Sequence, residues 1–368
     1  MTIRRSIPEE AGTRPRVVGT GLLALDVLLN EGKTGSRAEL GGSAGNVLAI
    51  LAFLGWSSVP VARLGTDVAG SRIRREFEFL HADTRFIKYE QQARTPVVYQ
   101  WPGDDQRTHK FSFSCPFCGQ KRGFSAEADD AHCHTVLKLI ERSDVFYFDR
   151  VTSWSLSLAE NYRKRGALVV FEPSAMNVEP SAFQRAIDSC HVLKYADERI
   201  DELGVFDCTK VDVIIQTLGA EGLRFKASGV PQGSWQTLSA FRVPRVIDTA
   251  GAGDWCTAGL LHSLQKAGAS ARLDAALLSK ALRFGQALAA LNCMHAGARG
   301  LAQQGARERL EELANFMDHR EREEVSLTRE WQEFCEKVPQ TDWTKQRCTR
   351  SQDLPAPSAR LCCEPLGV

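Results

Sequence analysis

Hydrophobic and polar positions follow two rhythms along this chain. Short apolar runs recur at residues 17–29 (VVGTGLLALDVLL), 58–65 (SVPVARLG), 144–150 (DVFYFDR), 168–174 (LVVFEPS) and 211–219 (VDVIIQTLG). Runs rich in Val, Ile and Phe and bounded by Gly, Pro or charge mark strands buried on both faces. Between them apolar residues return at helical spacing, most clearly over 43–55 (SAGNVLAILAFLG). Strand and helix in alternation predict crossover connections. The expected fold is therefore α/β, with a mainly parallel central sheet covered by helices on both faces.

Two stretches break the rhythm. Residues 95–119 (TPVVYQWPGDDQRTHKFSFSCPFCG) alternate polar and apolar positions around a PGDD turn, which predicts an antiparallel hairpin projecting from the main sheet. From Arg307 the pattern becomes a charged helix, RERLEELANFMDHREREEV, and then a polar, irregular tail. The chain thus divides into a main unit over 14–305 and an extension over 306–368.

Composition narrows the function classes. With 46 Lys+Arg against 45 Asp+Glu the net charge is +1, which gives no electrostatic reason to expect nucleic acid or an anionic membrane as partner. The longest apolar runs are too short to span a bilayer, and MTIRRSIPEEAGTRPR has no apolar segment after its arginines. A cytoplasmic protein is expected. Eleven cysteines, an odd number in a long chain, read as reduced thiols rather than a disulfide framework.

The chemistry gathers in IDTAGAGDWCTAGLL, residues 247–261. Gly251, Ala252 and Gly253 leave backbone N–H groups bare where a helix begins, and the positive end of the helix dipole adds to them. That combination suits phosphate oxygens or the charge that develops in phosphoryl transfer. Asp254, at the same spot, is placed to take a proton from an attacking hydroxyl. An aspartate there also suits a plain helix cap. The stretch by itself accommodates either role.

The DTAGAGD run resembles the second signature of the PfkB, or ribokinase-like, family of carbohydrate kinases. The first signature has a counterpart in GGSAGNVLAILAFLG (41–55), ARLGTDVAGSRI (62–73) and HADT (81–84). Both occur in the family's order, and the similarity runs from about Arg14 to about Gln304. The resemblance implies a ribokinase-like three-layer sandwich with a small antiparallel β lid, drawn from about residues 30–42 and 95–122. It implies ATP-dependent phosphorylation of a hydroxyl of a sugar or sugar-like small molecule, with Mg2+ and, in many members, K+. Asp254 matches the family's general base, and Gly251, Ala252 and Gly253 its anion hole. Asp248 and Thr249 match the start of that motif, near which the monovalent cation binds. Asp26, Gly41, Gly42 and Asn46 match positions that receive the sugar. Thr217, Gly219 and Gly222, in TLGAEG, are similar to the nucleotide loop. Tyr99, His109 and Phe111 are the lid side chains to watch.

The chain also departs from the family. Where members carry an Asn-x-x-Glu element that orders the water around Mg2+, LKYADERI (193–200) has Ala196 and Arg199, leaving Asp197 or Glu198 as shifted substitutes. FEPS (171–174) lacks the asparagine and arginine of the commoner stretch, although Glu172 remains as an aid to the metal. A nucleoside kinase is the alternative on the same scaffold. A fold kept as a binding or regulatory module is the alternative from another class, and a homodimer through the lid is an open assembly. Finally, CPFCG (115–119) has the spacing of a zinc knuckle. Cys115 and Cys118, joined by Cys133 and by His132 or His134, form a candidate structural zinc site. A pair of reduced surface thiols is the plainer reading.

Overall fold

The computed structural model describes residues 14–29, 37–102, 109–124, 130–200, 203–227, 234–267 and 275–303, together with Arg307, Leu310, Glu312 and Ala314. Of the extension expected over 306–368, the later part of the charged helix and the polar tail, residues 315–368, lie outside the described residues. In chain order the elements are β1 (Arg16–Thr20), β2 (Ala24–Leu28), β3 (Arg37–Gly41), α1 (Ser43–Phe53), β4 (Ser57–Gly65), α2 (Val68–Phe79), β5 (Ile87–Glu90), β6 (Val97–Pro102), β7 (His109–Ser112) and α3 (Asp130–Leu139). They continue with β8 (Val145–Phe148), α4 (Ser153–Lys164), β9 (Leu168–Phe171), α5 (Pro180–Ser189), β10 (Val192–Ala196), β11 (Val213–Thr217), β12 (Leu223–Ala227), β13 (Gln236–Leu238), α6 (Ala252–Ala267) and α7 (Ala275–Asn292).

The main sheet runs β13-β12-β11-β10-β9-β8-β1-β4-β5. Its strands are parallel from β11 to β5, and only the β12 and β13 edge is antiparallel. Successive residues of the central strands feed opposite faces, as a pleated strand must. Val17, Tyr147 and Val170 enter the core under α1, α2, α6 and α7, while Val18, Phe146, Phe148 and Phe171 enter the core under α3, α4 and α5. This is the three-layer α/β sandwich that the sequence leads one to expect. The start of the C-terminal extension is packed against it: Leu310 and Ala314 are buried in the first of these cores.

Residues 17–29 form two strands, not one. Gly21, at φ 138°, turns the chain out of β1, so that β2 joins a second sheet of order β3-β2-β6-β7. A Cβ at Gly21 would lie 1.7 Å from Asp149 Oδ1, and the backbone conformation itself disfavours a side chain. The second sheet is the small sheet expected as a lid. Its outer pairs are antiparallel and the inner β2–β6 pair is parallel. Leu25, Val27, Val97 and Tyr99 face the main core, whereas Ala24 and Val98 face the other way with Phe113 and Phe124.

Replacing Gly21 with Ala should lower Tm by about 5–10 °C, the effect of a few kcal/mol in a domain of this size, and thermal melts followed by circular dichroism will measure it.

Candidate active site

The carboxyl ends of parallel strands form the edge where ligands bind in open α/β sheets. Asp149 follows β8 there, Glu172 follows β9 and Asp197 follows β10. The start of α6 lies over the same edge. Its first turn needs partners for four N–H groups. The Ala252 N–H donates to Thr249 O at 3.2 Å and the Trp255 N–H to Gly251 O at 2.9 Å. Among the described residues this leaves the N–H groups of Gly253 and Asp254 as the orphan donors, so Ala252 contributes its small side chain and not its N–H. Gly251, at φ 74°, lets the turn close against the backbone of Ala298, where a Cβ would meet the carbonyl oxygen at 2.2 Å.

Asp254 is partly buried, and its Oδ2 accepts a hydrogen bond from Asn46 Nδ2 at 2.8 Å. Burial above all, and then the Glu172 carboxylate, push its pKa up to about 7, against the opposing pull of Asn46, Lys194 and Arg199. A carboxylate tuned near neutrality suits general base work. Asn46 stands on the first turn of α1, after Gly42 (φ 78°), and its Oδ1 is buried without a hydrogen-bond partner.

Asp26, 4% exposed on β2, carries a carboxyl held well above the ordinary range, first by burial and then by Glu39 and Asp254, with Arg299 and a hydrogen bond from Gln100 opposing. Gly41 lies opposite Ala24 in the β2–β3 pair, and a Cβ on it would stand 1.9 Å from Asp26 Cγ. The glycine therefore gives the Asp26 carboxyl its room. Phe111 lies opposite Gln100 and is 51% exposed, while Tyr99 is fully buried on the core side of the lid. Tyr99 is a packing residue. His109 begins β7, and its side chain lies outside the described residues.

Asp248 is also fully occupied: Oδ1 accepts from the Ala250 N–H and Oδ2 from the Gly297 N–H, each at 2.7 Å. It pins the loop after α7 to the turn before α6, beside an exposed Thr249. Thr217 ends β11, and Gly219 opens the turn that leads to Gly222 (φ 109°), which packs against the backbone after β13. A Cβ on Gly219 would lie 3.6 Å from Glu198 Oε1, so this turn and the 197–199 segment are neighbours.

Three expectations need correction. Glu172 does not stand open for a metal: it pairs with Lys194, and its Oε2 accepts from Thr257 Oγ1 at 2.6 Å and Tyr147 OH at 3.2 Å. The second concerns zinc, because among the described residues no group of three or more His, Cys, Asp or Glu could hold a metal ion. Cys115 and Cys118 do sit in a tight turn, closed by Gly119 N–H to Cys115 O at 2.8 Å, but Cys133 lies in the core on the other face of the sheet, 3.6 Å from Ser157 Oγ. His132 bonds to Phe86 O and His134 is exposed on α3. Third, the anion hole loses Ala252 as a donor. Sequence reasoning missed Asp149, whose Oδ1 accepts from the Leu22 N–H at 2.8 Å and whose Oδ2 meets Arg150 Nη1 at 3.1 Å. It also missed Lys194, Tyr147 and Thr257. Position after a strand would have flagged Asp149, and a lysine inside an apolar strand would have flagged Lys194.

Orphan N–H donors and a buried carboxylate held near neutrality meet at one sheet edge, a combination that suits phosphoryl transfer. The pfkB family carbohydrate kinase profile matches residues 28–304. A probable fructokinase-7 of Arabidopsis thaliana is 26% identical over 281 residues, spanning 70% of this chain and 79% of that protein. The aminoimidazole riboside kinase of Salmonella enterica, solved with aminoimidazole riboside and an ATP analog, superposes with TM-score 0.62 at 20% identity, covering 81% of this chain and 99% of that one. A fructokinase double mutant of Vibrio cholerae O395, bound to fructose, ADP and a potassium ion, gives TM-score 0.62 at 18% identity over 83% of this chain and 100% of that one. The chain belongs to the pfkB family of carbohydrate kinases, and its fold is ribokinase-like. It is a phosphotransferase, a sugar or nucleoside kinase. Among the described residues no helix is long and apolar enough to cross a membrane.

Asp254 holds its proton more tightly folded (about 7) than an unfolded aspartate does (about 3.9), so its ionisation removes stability as pH rises from about 4 to 7. Asp254→Asn should accordingly raise Tm by about 2–5 °C at pH 8 and leave it nearly unchanged below pH 4, as read by melts across the pH range.

Proposed function

We propose that this protein transfers the γ-phosphoryl group of ATP to a hydroxyl, a primary one, of a sugar or sugar-like small molecule. The observation that carries the reading is the coincidence of Asp254 with the orphan N–H groups of Gly253 and Asp254 at one helix start. Asp254 takes the hydroxyl proton as the sugar oxygen forms its bond to the γ-phosphorus, and the bond from that phosphorus to the β,γ-bridging oxygen breaks, its electron pair leaving with ADP. The two N–H groups and the α6 dipole stabilise charge on the transferred group. Asp26 and Asn46 Oδ1, both with unsatisfied buried oxygens, would receive sugar hydroxyls. Gly41 and Gly42 let the substrate approach the backbone. The lid excludes water, which keeps ATP from hydrolysis.

The nucleotide would lie along Thr217, Gly219 and Gly222. With Glu172 occupied, Asp197 and Glu198 are the carboxylates beside this turn, and they would hold the hydrated Mg2+ that neutralises phosphate charge. Potassium, present in the Vibrio fructokinase, would sit by the carbonyls of the loops that Asp248 joins. Thr249 belongs to the same turn. The reading takes 14–305 as the catalytic unit, in a cytoplasmic protein with small-molecule partners.

A panel of sugars and nucleosides with ATP, Mg2+ and K+ tests this reading. Turnover with one class should appear and should fall by about a thousandfold or more in Asp254→Asn. The acid limb of kcat/KM should rise through about pH 7, where free Asp254 loses its proton. Silence across the panel with the fold intact would favour the binding-module alternative.

A further inference from the structure

Lys194 is an anomaly of β10. It occupies the middle of a central strand and is 2% exposed, where the alternation of that strand asks for an apolar side chain. Taking an ammonium group out of water costs several kcal/mol unless pairing and hydrogen bonds offset it. Here Nζ pairs with Glu172 of the β9 end and donates to the carbonyl oxygen of Gly253 at 3.2 Å. Thr257, one turn further along α6, donates between the same two partners, to Glu172 Oε2 at 2.6 Å and Gly253 O at 3.1 Å. Tyr147 reaches Glu172 from β8. Residues of three neighbouring strands thus form one cluster, from which Lys194, with Thr257 of α6, reaches one carbonyl of the α6 start.

That peptide joins Gly253 to Asp254. In a planar trans peptide the C=O and N–H point to opposite sides. Drawing the Gly253 carbonyl down toward Lys194 and Thr257 aims the Asp254 N–H, one of the two orphan donors, out of the helix start. We infer that Lys194 is a positioning residue for phosphoryl transfer, which fixes the orientation of the Gly253–Asp254 peptide and places a buried positive charge beneath the anion hole. This rests on the kinase reading above. Glu172 plays the counterpart: it keeps Lys194 charged and paired, and its anion acts on Asp254 in the opposite sense. The other ionisable groups whose charge reaches this cluster include Asp26 from the lid, Tyr147 on β8, Asp149 after β8, Arg199 after β10 and Cys256 on α6.

The test uses the full chain and the acceptor that the wild type phosphorylates. Lys194→Met should lower kcat by about a hundredfold, the usual effect of disturbing one oxyanion donor, while KM for ATP and acceptor stays within about threefold. With the cation gone and Glu172 left, Asp254 binds its proton more tightly, so the acid limb of kcat/KM moves to higher pH. Lys194→Arg should recover part of kcat. Glu172→Gln should move the limb to lower pH, and this arm decides the matter if Lys194→Met fails to fold in circular dichroism. A folded Lys194→Met with kcat within threefold of wild type, or limbs that stay in place in the folded variants, overturns the inference while the kinase reading stands. A wild type that phosphorylates nothing overturns both.

Discussion

The hydrogen bond from Asn46 to Asp254 joins helices that begin far apart in sequence and side by side in space. α1 and α6 pack on the same face of the main sheet, and both start at its carboxyl edge. One bond therefore ties the glycine turn before α1, which meets the lid through Gly41 and Asp26, to the turn before α6, which supplies the orphan donors. It also sets the chemistry. An amide donor stabilises the ionised carboxylate only partly against burial and against Glu172, and the base settles near neutrality instead of at the usual carboxylate value.

The same edge concentrates buried charge in the second sheet and under the α6 start. In the second sheet, Asp26 and Glu39 are cross-strand partners, both nearly inaccessible, with Arg299 reaching in from the C-terminal part of the chain to pair with Glu76 on α2. Lys194 and Glu172 pair beneath the α6 start. Like charges facing one another and ions taken from water lower stability. Proteins keep such arrangements at sites where they serve binding or catalysis. Here they also couple parts: Arg299 donates to the Leu40 carbonyl and Glu76 accepts from the Leu40 N–H, so the strand before Gly41 is held from both its backbone groups.

How much of this was legible in the sequence varies by residue. The DTAGAGD run disclosed a bare helix start, because small residues before a helix expose their own backbone and that geometry is local. The hairpin at 95–119 was legible through alternation around its turn, whereas the break at Gly21 was hidden inside an apolar run that reads as one strand. Cysteine spacing showed the CPFCG turn but could not show that Cys133 sits across the sheet. Asp149 and Lys194 passed unnoticed because a strand pattern reports burial and says nothing about the partner that makes a buried charge tolerable.

Local order thus came from the chain itself: strand and helix alternation, the turns at Gly42, Gly222 and Gly251, and the bare helix start at Asp254 all follow from interactions within a few residues. Tertiary structure decided the rest. Which carboxylate pairs with a cation, which N–H is orphaned, and which face of the second sheet meets the main core depend on contacts between segments that no local pattern relates. The same residue types would have been equally consistent with Glu172 on a metal and Tyr99 on a sugar. Packing put a lysine beside one and a core around the other, because charge in a dry interior is stable only where the fold brings its partner.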